Sequence, residues 1–567
     1  MEYLVLILVL GVFVAVVFVK EAYSAKRRER QFVKGLYENF GGIPDKEYAL
    51  ERYAHMGSYF HRHQKDGQID DITWNDLNMD DIFKRMNYAF SASGEEYLYY
   101  TLRNTCASTE ELEHLEEVAG YFLEHPDERV KIQYLMAKLG HTGKYSLYDY
   151  LENLDILGKR SNKKHIFLDI LFLPFILLAP FKLSLALLGI SVLICYNILT
   201  YFKEKGEIEP YIISFAYLVR LLNACDKMIK TEVPPCRKEW KSMGESLDRL
   251  KNISRHSYFV FSKNRYSTSG NPLDILVDYL RMTFHLDLIQ FNTMLERLQN
   301  NMDAADTLIT LTGYVETAIC IGAFRASLKH GYCIPEFLKE DGTKGLCLKE
   351  SYHPLLEEPV KNSIDTAQKG ILLTGSNASG KSTFLRTVAL NVILAQTIHT
   401  CTASFYRAPL YRVYSSMSLR DDIQGGESYY MVEIRAMKRI LDGTKESTVP
   451  IICFVDEVLR GTNTIERIAA STQILRSLYD RGTLCFAATH DIELTELLKD
   501  VYENYHFEEE IRDGDVVFPY QLLHGKSTTR NAIRLLEIMG YEEDIIQQAF
   551  AMAEQLMGNW NFAPKTS

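Results

Sequence analysis

Apolar residues follow three different rhythms along the 567-residue chain. The first is unbroken apolarity. Tyr3 to Val19 is 17 residues without a charge, followed by Lys20, Lys26, Arg27, Arg28, Arg30 and Lys34. Only Glu2 precedes the run, whereas a cleaved signal peptide carries its positive charge first. The pattern predicts a retained anchor whose C-terminal side, rich in Lys and Arg, lies in the cytoplasm. A second apolar block, Ile166 to Tyr201, is broken at Ala179 to Lys182, a segment that suits a tight turn. Lys159, Arg160, Lys163 and Lys164 precede it and Lys203 and Lys205 follow it, which predicts a transmembrane hairpin with both ends cytoplasmic. Asp169 lies within one turn of the entry, where it reaches the interface. The expected topology is three membrane helices in the plasma membrane, with the soluble parts facing the cytoplasm.

The second rhythm is a three- and four-residue spacing. It runs through "NMDDIFKRMNYAF", "GEEYLYYTLRNT" and "STEELEHLEEVAGYFLEH", where Ser108 and Glu111 form a capping box. It returns over 206–330, and the stretch beginning "NPLDILVDYLRMTFHLDLIQ" has few breakers over almost fifty residues, predicting long arms. The third rhythm begins near Cys347, where short β-rich runs ("GILLTG", "PIICFVDE", "TLCFAATH") alternate with helical ones, as in an α/β sheet domain. The domain plan is therefore an anchor over 1–20, a juxtamembrane linker without a strong period over 21–70, and a first helical part over 71–160. The hairpin at 166–201, a second helical part at 206–335 and an α/β domain at 345–567 complete it.

Composition narrows the partners. Charged residues make up 24% and hydrophobic ones 47%, a globular balance, and the net charge of −11 argues against a general nucleic-acid coat. Ten cysteines are scattered singly from Cys106 to Cys485 without a CxxC pair, which indicates reduced thiols and neither zinc nor a disulfide framework.

The chemistry sits in the α/β part. Gly375-Ser376-Asn377-Ala378-Ser379-Gly380-Lys381-Ser382 fits G-x-x-x-x-G-K-[ST], with a strand, Ile371 to Leu373, leading in and a helix from Thr383 leading out. Glycines let backbone N–H groups curl round phosphates at a helix N-terminus; Lys381 neutralises the β/γ-phosphates and Ser382 holds Mg²⁺. ATP and Mg²⁺ are the expected cofactors. The apolar run Ile451 to Val455 ends in Asp456 and Glu457, a strand delivering one carboxylate to orient the metal and one to polarise water. A further strand, Leu484 to Ala488, ends in Thr489 and His490, a candidate γ-phosphate sensor.

These pieces resemble the MutS ATPases, the nucleotide-switched clamps of DNA mismatch repair within the ABC ATPase class. The likeness lies in "TGSNASGKSTFLRTVALNVILAQ", "DDIQGGESYYMVEIRAM", "FVDEVLRGTNTIERIA", "ATHDIELTELL" and "YQLLHGKSTTRNAIRLLEIMG", and continues more weakly upstream. The resemblance implies that Ser428 is the signature-loop residue reaching the γ-phosphate held by a second subunit, so composite sites need a homodimer. It also places Tyr520 near the adenine ring and Val360 where relatives carry another aromatic. DNA binding, including mismatched or branched forms, is implied as well. Repair members begin with a mismatch-reading domain for which the roughly fifty residues beyond the anchor leave no room. The expected chain is thus a membrane-anchored variant lacking that reader. Its fold is an α/β P-loop ATPase domain of ABC/MutS type, C-terminal to an all-α core and lever domain with three transmembrane helices. A membrane-bound, ATP-switched scaffold that does not touch DNA is the second reading.

Overall fold

A computed structural model describes residues 20, 23–48, 50–105, 107–142, 146–152, 157–158, 160–255, 279–338, 345–376, 379–417, 429–447, 449–459, 462–512, 515–526, 533, 536 and 540–559. The expected N-terminal anchor, Tyr3 to Val19, lies outside them. The chain divides into two compact units: Met1–Gln64, Phe83–Thr101 and Glu113–Ser327 in one, Lys65–Ile82, Leu102–Leu112 and Leu328–Ser567 in the other.

Helices open the chain order: α1 (Asp71–Asp76), α2 (Met79–Met86), α3 (Ala92–Arg103), α4 (Thr109–Glu124) and α5 (Pro126–Leu139). They form where the three- and four-residue spacing occurs. At α4 the capping box is present as read: Glu111 N donates to Ser108 Oγ at 3.2 Å, and Ser108 N donates to Glu111 Oε2 at 3.0 Å. The supposed linker is more regular than its sequence suggests, being helical over 23–38 with short helices at Leu50–His55 and Ser58–Arg62.

The apolar block at 166–201 departs from two matched spans. Its first half is two short helices, α6 (Lys163–Ile170) and α7 (Phe172–Leu178), and its second half belongs to one 46-residue helix, α8 (Leu183–Met228). Pro174 explains the break, because a residue without an N–H cannot bond back to the preceding turn. The halves do pack on one another: a Cβ at Gly189 would stand 2.2 Å from the Phe175 ring. Among the described residues two helices, not three, are long and apolar enough to cross a membrane: Leu183–Glu209, 17% buried, and Met302–Ala326, 78% buried. The second is mostly buried, a core helix of the helical part, and the first expected span lies outside the described residues.

The helical unit continues with α9 (Arg237–Arg255), α10 (Leu286–Gln299) and α11 (Met302–Ala326). The unbroken arm expected there is divided at Asn300 and Asn301, residues whose side chains compete for backbone hydrogen bonds. α8 packs against α5, α9 and α11. Inside, the fully buried Glu316 of α11 accepts from Phe90 N at 2.6 Å, from Ser91 N at 3.2 Å and from Ser91 Oγ.

The second unit contains β1 (Glu336–Phe337), β2 (Cys347–Ser351), β3 (Asn362–Asp365), β4 (Gly370–Thr374), β5 (Phe405–Ala408), β6 (Arg412–Ser416), β7 (Ile451–Asp456), β8 (Leu484–Ala488), β9 (Tyr502–His506), β10 (Glu510–Arg512), β11 (Asp515–Val517) and β12 (Leu523–His524). Its main sheet has the order β12-β9-β4-β8-β7-β6; β9, β4, β8, β7 and β6 are parallel and β12 is antiparallel. A smaller sheet runs β1-β5-β2-β3. The helices α12 (Lys381–Ile398), α13 (Tyr429–Glu446) and α14 (Thr464–Asp480) follow β4, the segment after β6, and β7. β4 and β8 are buried throughout and β7 as far as Val455, with apolar residues up to their C-terminal ends, as a sheet covered on both faces requires.

The unit also takes in residues far upstream. The outer edge of β6 meets α1, where Asp76 Oδ2 accepts from Ser415 Oγ at 2.7 Å and Met417 N at 2.9 Å. Ser415 N donates to Thr73 Oγ1 at 3.2 Å, and Arg439 of α13 bridges Asp70 and the Ser415 carbonyl. An edge strand is thereby covered rather than left open.

Candidate functional site

Parallel sheets deliver loops at the C-terminal ends of their strands, and the functional residues collect there. β4 ends at Thr374, and Gly375 turns the chain at φ 138. A Cβ at Gly375 would lie 2.4 Å from the Phe507 carbonyl oxygen, so only glycine fits. Gly380, at φ 103, hands the chain to α12, whose first residue is Lys381. The Lys381 ammonium is buried within the loop and donates to the carbonyls of Gly375 at 2.7 Å and Ser376 at 2.6 Å. Ser379 Oγ closes the turn on the Ser376 carbonyl at 2.7 Å, and Ser376 Oγ donates to the buried Glu509 at 3.0 Å. Asn377 and Ala378 of this loop, and Ser428, lie outside the described residues.

Ser382, the second residue of α12, donates from Oγ to Asp456 Oδ2 at 2.5 Å. Two oxygen ligands are thus presented side by side, the donor set a hard divalent cation takes. Glu457 follows at φ 63, an unusual conformation for a side-chain-bearing residue, with its N–H held by the Ala488 carbonyl at 2.9 Å. Its Oε1 meets His490 Nε2 at 2.9 Å. The strand-end residues read from sequence are therefore brought together in pairs, Ser382 with Asp456 and Glu457 with His490. Beside them is a cavity of about 160 Å³ lined by Glu457, Arg467, Thr489, His490 and Asp491. Arg467 is clamped by both oxygens of Asp491, at 2.8 and 2.6 Å, and that hydrogen-bonded carboxylate raises its pKa further.

A larger cavity of about 400 Å³ adjoins the loop at Gly380 and Ser382, within the range that small ligands occupy. Val360, Asn362, Gly380, Thr383, Phe507 and Tyr520 contribute to its walls. Tyr520 and Val360 thus border the same space, and Ser382 also reaches it. Tyr520 holds a positive φ of 55, its carbonyl accepts from Asn362 Nδ2 at 2.9 Å, and its ring stacks on Phe518 with centroids 6.1 Å apart. His353 also lines this wall; burial pulls its pKa down to about 4, helped by Arg386, so its ring is neutral at ordinary pH. Asn362 and Glu509 carry no motif, and Arg467 and Asp491, though inside the family-like blocks, were not singled out by sequence reasoning. Only their contacts reveal them.

The comparisons agree with this geometry. Residues 371–557 match the family described as MutS domain V, the ATPase domain of that family. The chain is 31% identical over 254 residues to DNA mismatch repair protein MutS of Thermus thermophilus, covering 44% of this chain and 30% of that protein. It is 33% identical over 233 residues to DNA mismatch repair protein MutS of Pseudothermotoga lettingae, covering 39% and 28%. It is 28% identical over 283 residues to DNA mismatch repair protein MutS 2 of Haloarcula marismortui, covering 45% and 28%. The chain spans less than a third of the length of these relatives. With its phosphate loop, paired strand-end carboxylates and C-terminal sheet in one frame, the segment 371–557 is similar to MutS domain V.

Proposed function

We propose that this protein is a membrane-anchored, Mg²⁺-dependent ATPase that works as a nucleotide-driven dimer switch. The observation that carries the reading is the meeting of Ser382 with Asp456, and of Glu457 with His490, at the head of the phosphate loop. Lys381 neutralises the β/γ-phosphates, and the backbone N–H groups opening α12 face the same anion. Ser382 and Asp456 would hold Mg²⁺, which supplies charge neutralisation at the phosphoryl oxygens. Glu457 takes a proton from the attacking water, and His490 fixes the orientation of that carboxylate. Ser428 of a second copy completes each site, so ATP closes the pair and hydrolysis releases it. Val360, Asn362 and Tyr520 surround the space for the base.

The membrane part rests on the hairpin. Leu173, Leu177, Phe181, Leu187, Leu188 and Leu199 are large apolar side chains exposed on α7, α8 and the turn between them, a contiguous surface that water disfavours and lipid accepts. DNA is the ligand suggested by the names of the relatives. A scaffold that switches without DNA is the second reading, favoured by the net charge of −11.

The test is ATP turnover by the full chain in lipid nanodiscs, with Glu457→Gln alongside. The variant is expected to bind ATP, lose about 100-fold or more in turnover and accumulate as a dimer. Unchanged turnover in Glu457→Gln, or a monomer at every nucleotide state, would falsify the switch. Binding to duplex and branched DNA across a salt series separates the two readings, because phosphate contacts weaken steeply with salt.

A further inference from the structure

We infer that His165, Glu204 and His285 form a buried proton-binding site at the base of the apolar hairpin, independent of the nucleotide site. His285 precedes α10, is fully buried and adopts φ 48. Its Nε2 lies 2.9 Å from the Asn197 carbonyl oxygen, which only accepts, so Nε2 carries a hydrogen. Thr200 Oγ1 stands 3.3 Å from the same nitrogen. His165, 3% exposed on α6, places its Nε2 3.1 Å from Glu204 Oε2, and a carboxylate also draws a hydrogen to the nitrogen facing it. That leaves the two Nδ1 atoms, 3.3 Å apart and facing one another.

The hydrogen count then decides. Three contacts, Glu204 with His165, His165 with His285, and His285 with the Asn197 carbonyl, need three hydrogens. Two neutral imidazoles bring two. The third is a proton taken from solution, and it leaves the His165–Glu204 pair without net charge, the condition burial favours. The count is the same whether that proton resides on the ring or on the carboxylate.

Charged groups flank the site on both sides. Lys164 Nζ lies 2.9 Å from Glu204 Oε1, and Arg160 pairs with Glu207 at 2.5 Å. On the other side the Tyr201 ring lies parallel to His285 with centroids 6.3 Å apart, while its hydroxyl donates to Asp287 at 2.7 Å beside Lys205. Burial pulls the His165 pKa down, and the Glu204 carboxylate offsets this only in part. The proton therefore stays only while the contact is closed. When it leaves, two lone pairs face each other and α6 loses one of its holds on α10, leaving those of Asn162 on Ile289, Asn292 and Thr293. Low pH closes this joint and rising pH opens it.

The experiment is hydrogen–deuterium exchange on the full chain in nanodiscs from about pH 5 to about pH 8, corrected for intrinsic exchange. Protection of 163–170 and 286–299 is expected to fall about tenfold as pH rises through the histidine range. His285→Asn tolerates the positive φ, and its amide donates to His165 without titrating, so its profile should be flat. Glu204→Gln should move the midpoint down by about one pH unit. A flat wild-type profile overturns the inference, as does a His285→Asn profile like wild type. Should His285→Asn not fold, an unmoved midpoint in Glu204→Gln overturns it.

Discussion

Ser382 Oγ donates to Asp456 Oδ2 across 2.5 Å, joining the first turn of α12 to the end of β7 by one hydrogen bond. In the proposed mechanism these two oxygens act as a unit, so their losses should not add. Ser382→Ala, Asp456→Asn and the double variant are each expected to lower kcat/KM for Mg-ATP by about 100-fold, with the double close to the worse single. Nucleotide affinity measured without Mg²⁺ should change little. A double variant whose loss is the product of the two singles would separate the residues and refute the shared role.

Asp76 tests whether the upstream helix is part of the nucleotide unit. It is buried, and its Oδ2 accepts from both Ser415 Oγ and Met417 N. Asp76→Ala leaves those donors without a partner and should cost about 1–3 kcal/mol. Denaturant unfolding followed at the α/β unit measures it; a midpoint matching wild type would show that α1 merely rests on β6.

Glu316 sets a pH dependence in the helical unit. Burial pushes its carboxyl up to about 7 from 4.5, opposed by hydrogen bonds from Ser91 and Phe90. A carboxyl with a raised folded pKa is harder to ionise in the fold, so stability falls as pH climbs from 4.5 to about 7 and is level above that. The full span is worth about 3 kcal/mol at most. Glu316→Gln keeps the acceptor and removes the charge. It should raise Tm more at pH 8 than at pH 5, and an equal shift at both would rule out the titration.

The nucleotide chemistry was legible because it is local. Eight consecutive residues make the loop, and an apolar run ending in Asp456 and Glu457 announces a buried strand. Asn362 and Asp76 were not legible, since their contacts span 158 and 339 positions, to Tyr520 and Ser415. The hairpin was half legible. Its apolarity and turn are plain, but Pro174 divides the first half. At Asn300 and Asn301 the reading passed over two ordinary residues that end an arm.

Cys195 tests the proposed membrane insertion. It is an exposed thiol on α8, within the apolar stretch. In intact vesicles a charged maleimide should leave Cys195 unmodified, while Lys182→Cys at the hairpin tip should react only from the far side. Rapid labelling of Cys195 in vesicles would place this face in water and refute insertion.

α8 is one helix from Leu183 to Met228, about 69 Å long. The helix runs through Pro210, from the portion at the hairpin to the portion packed on α9 and α11. Tilting the inner end by about 5° would sweep the outer end through about 6 Å, so it behaves as an oar rather than a tether. With the hairpin inserted as proposed, lipid resisting that stroke would act as a mechanical load on the packing of the helical core.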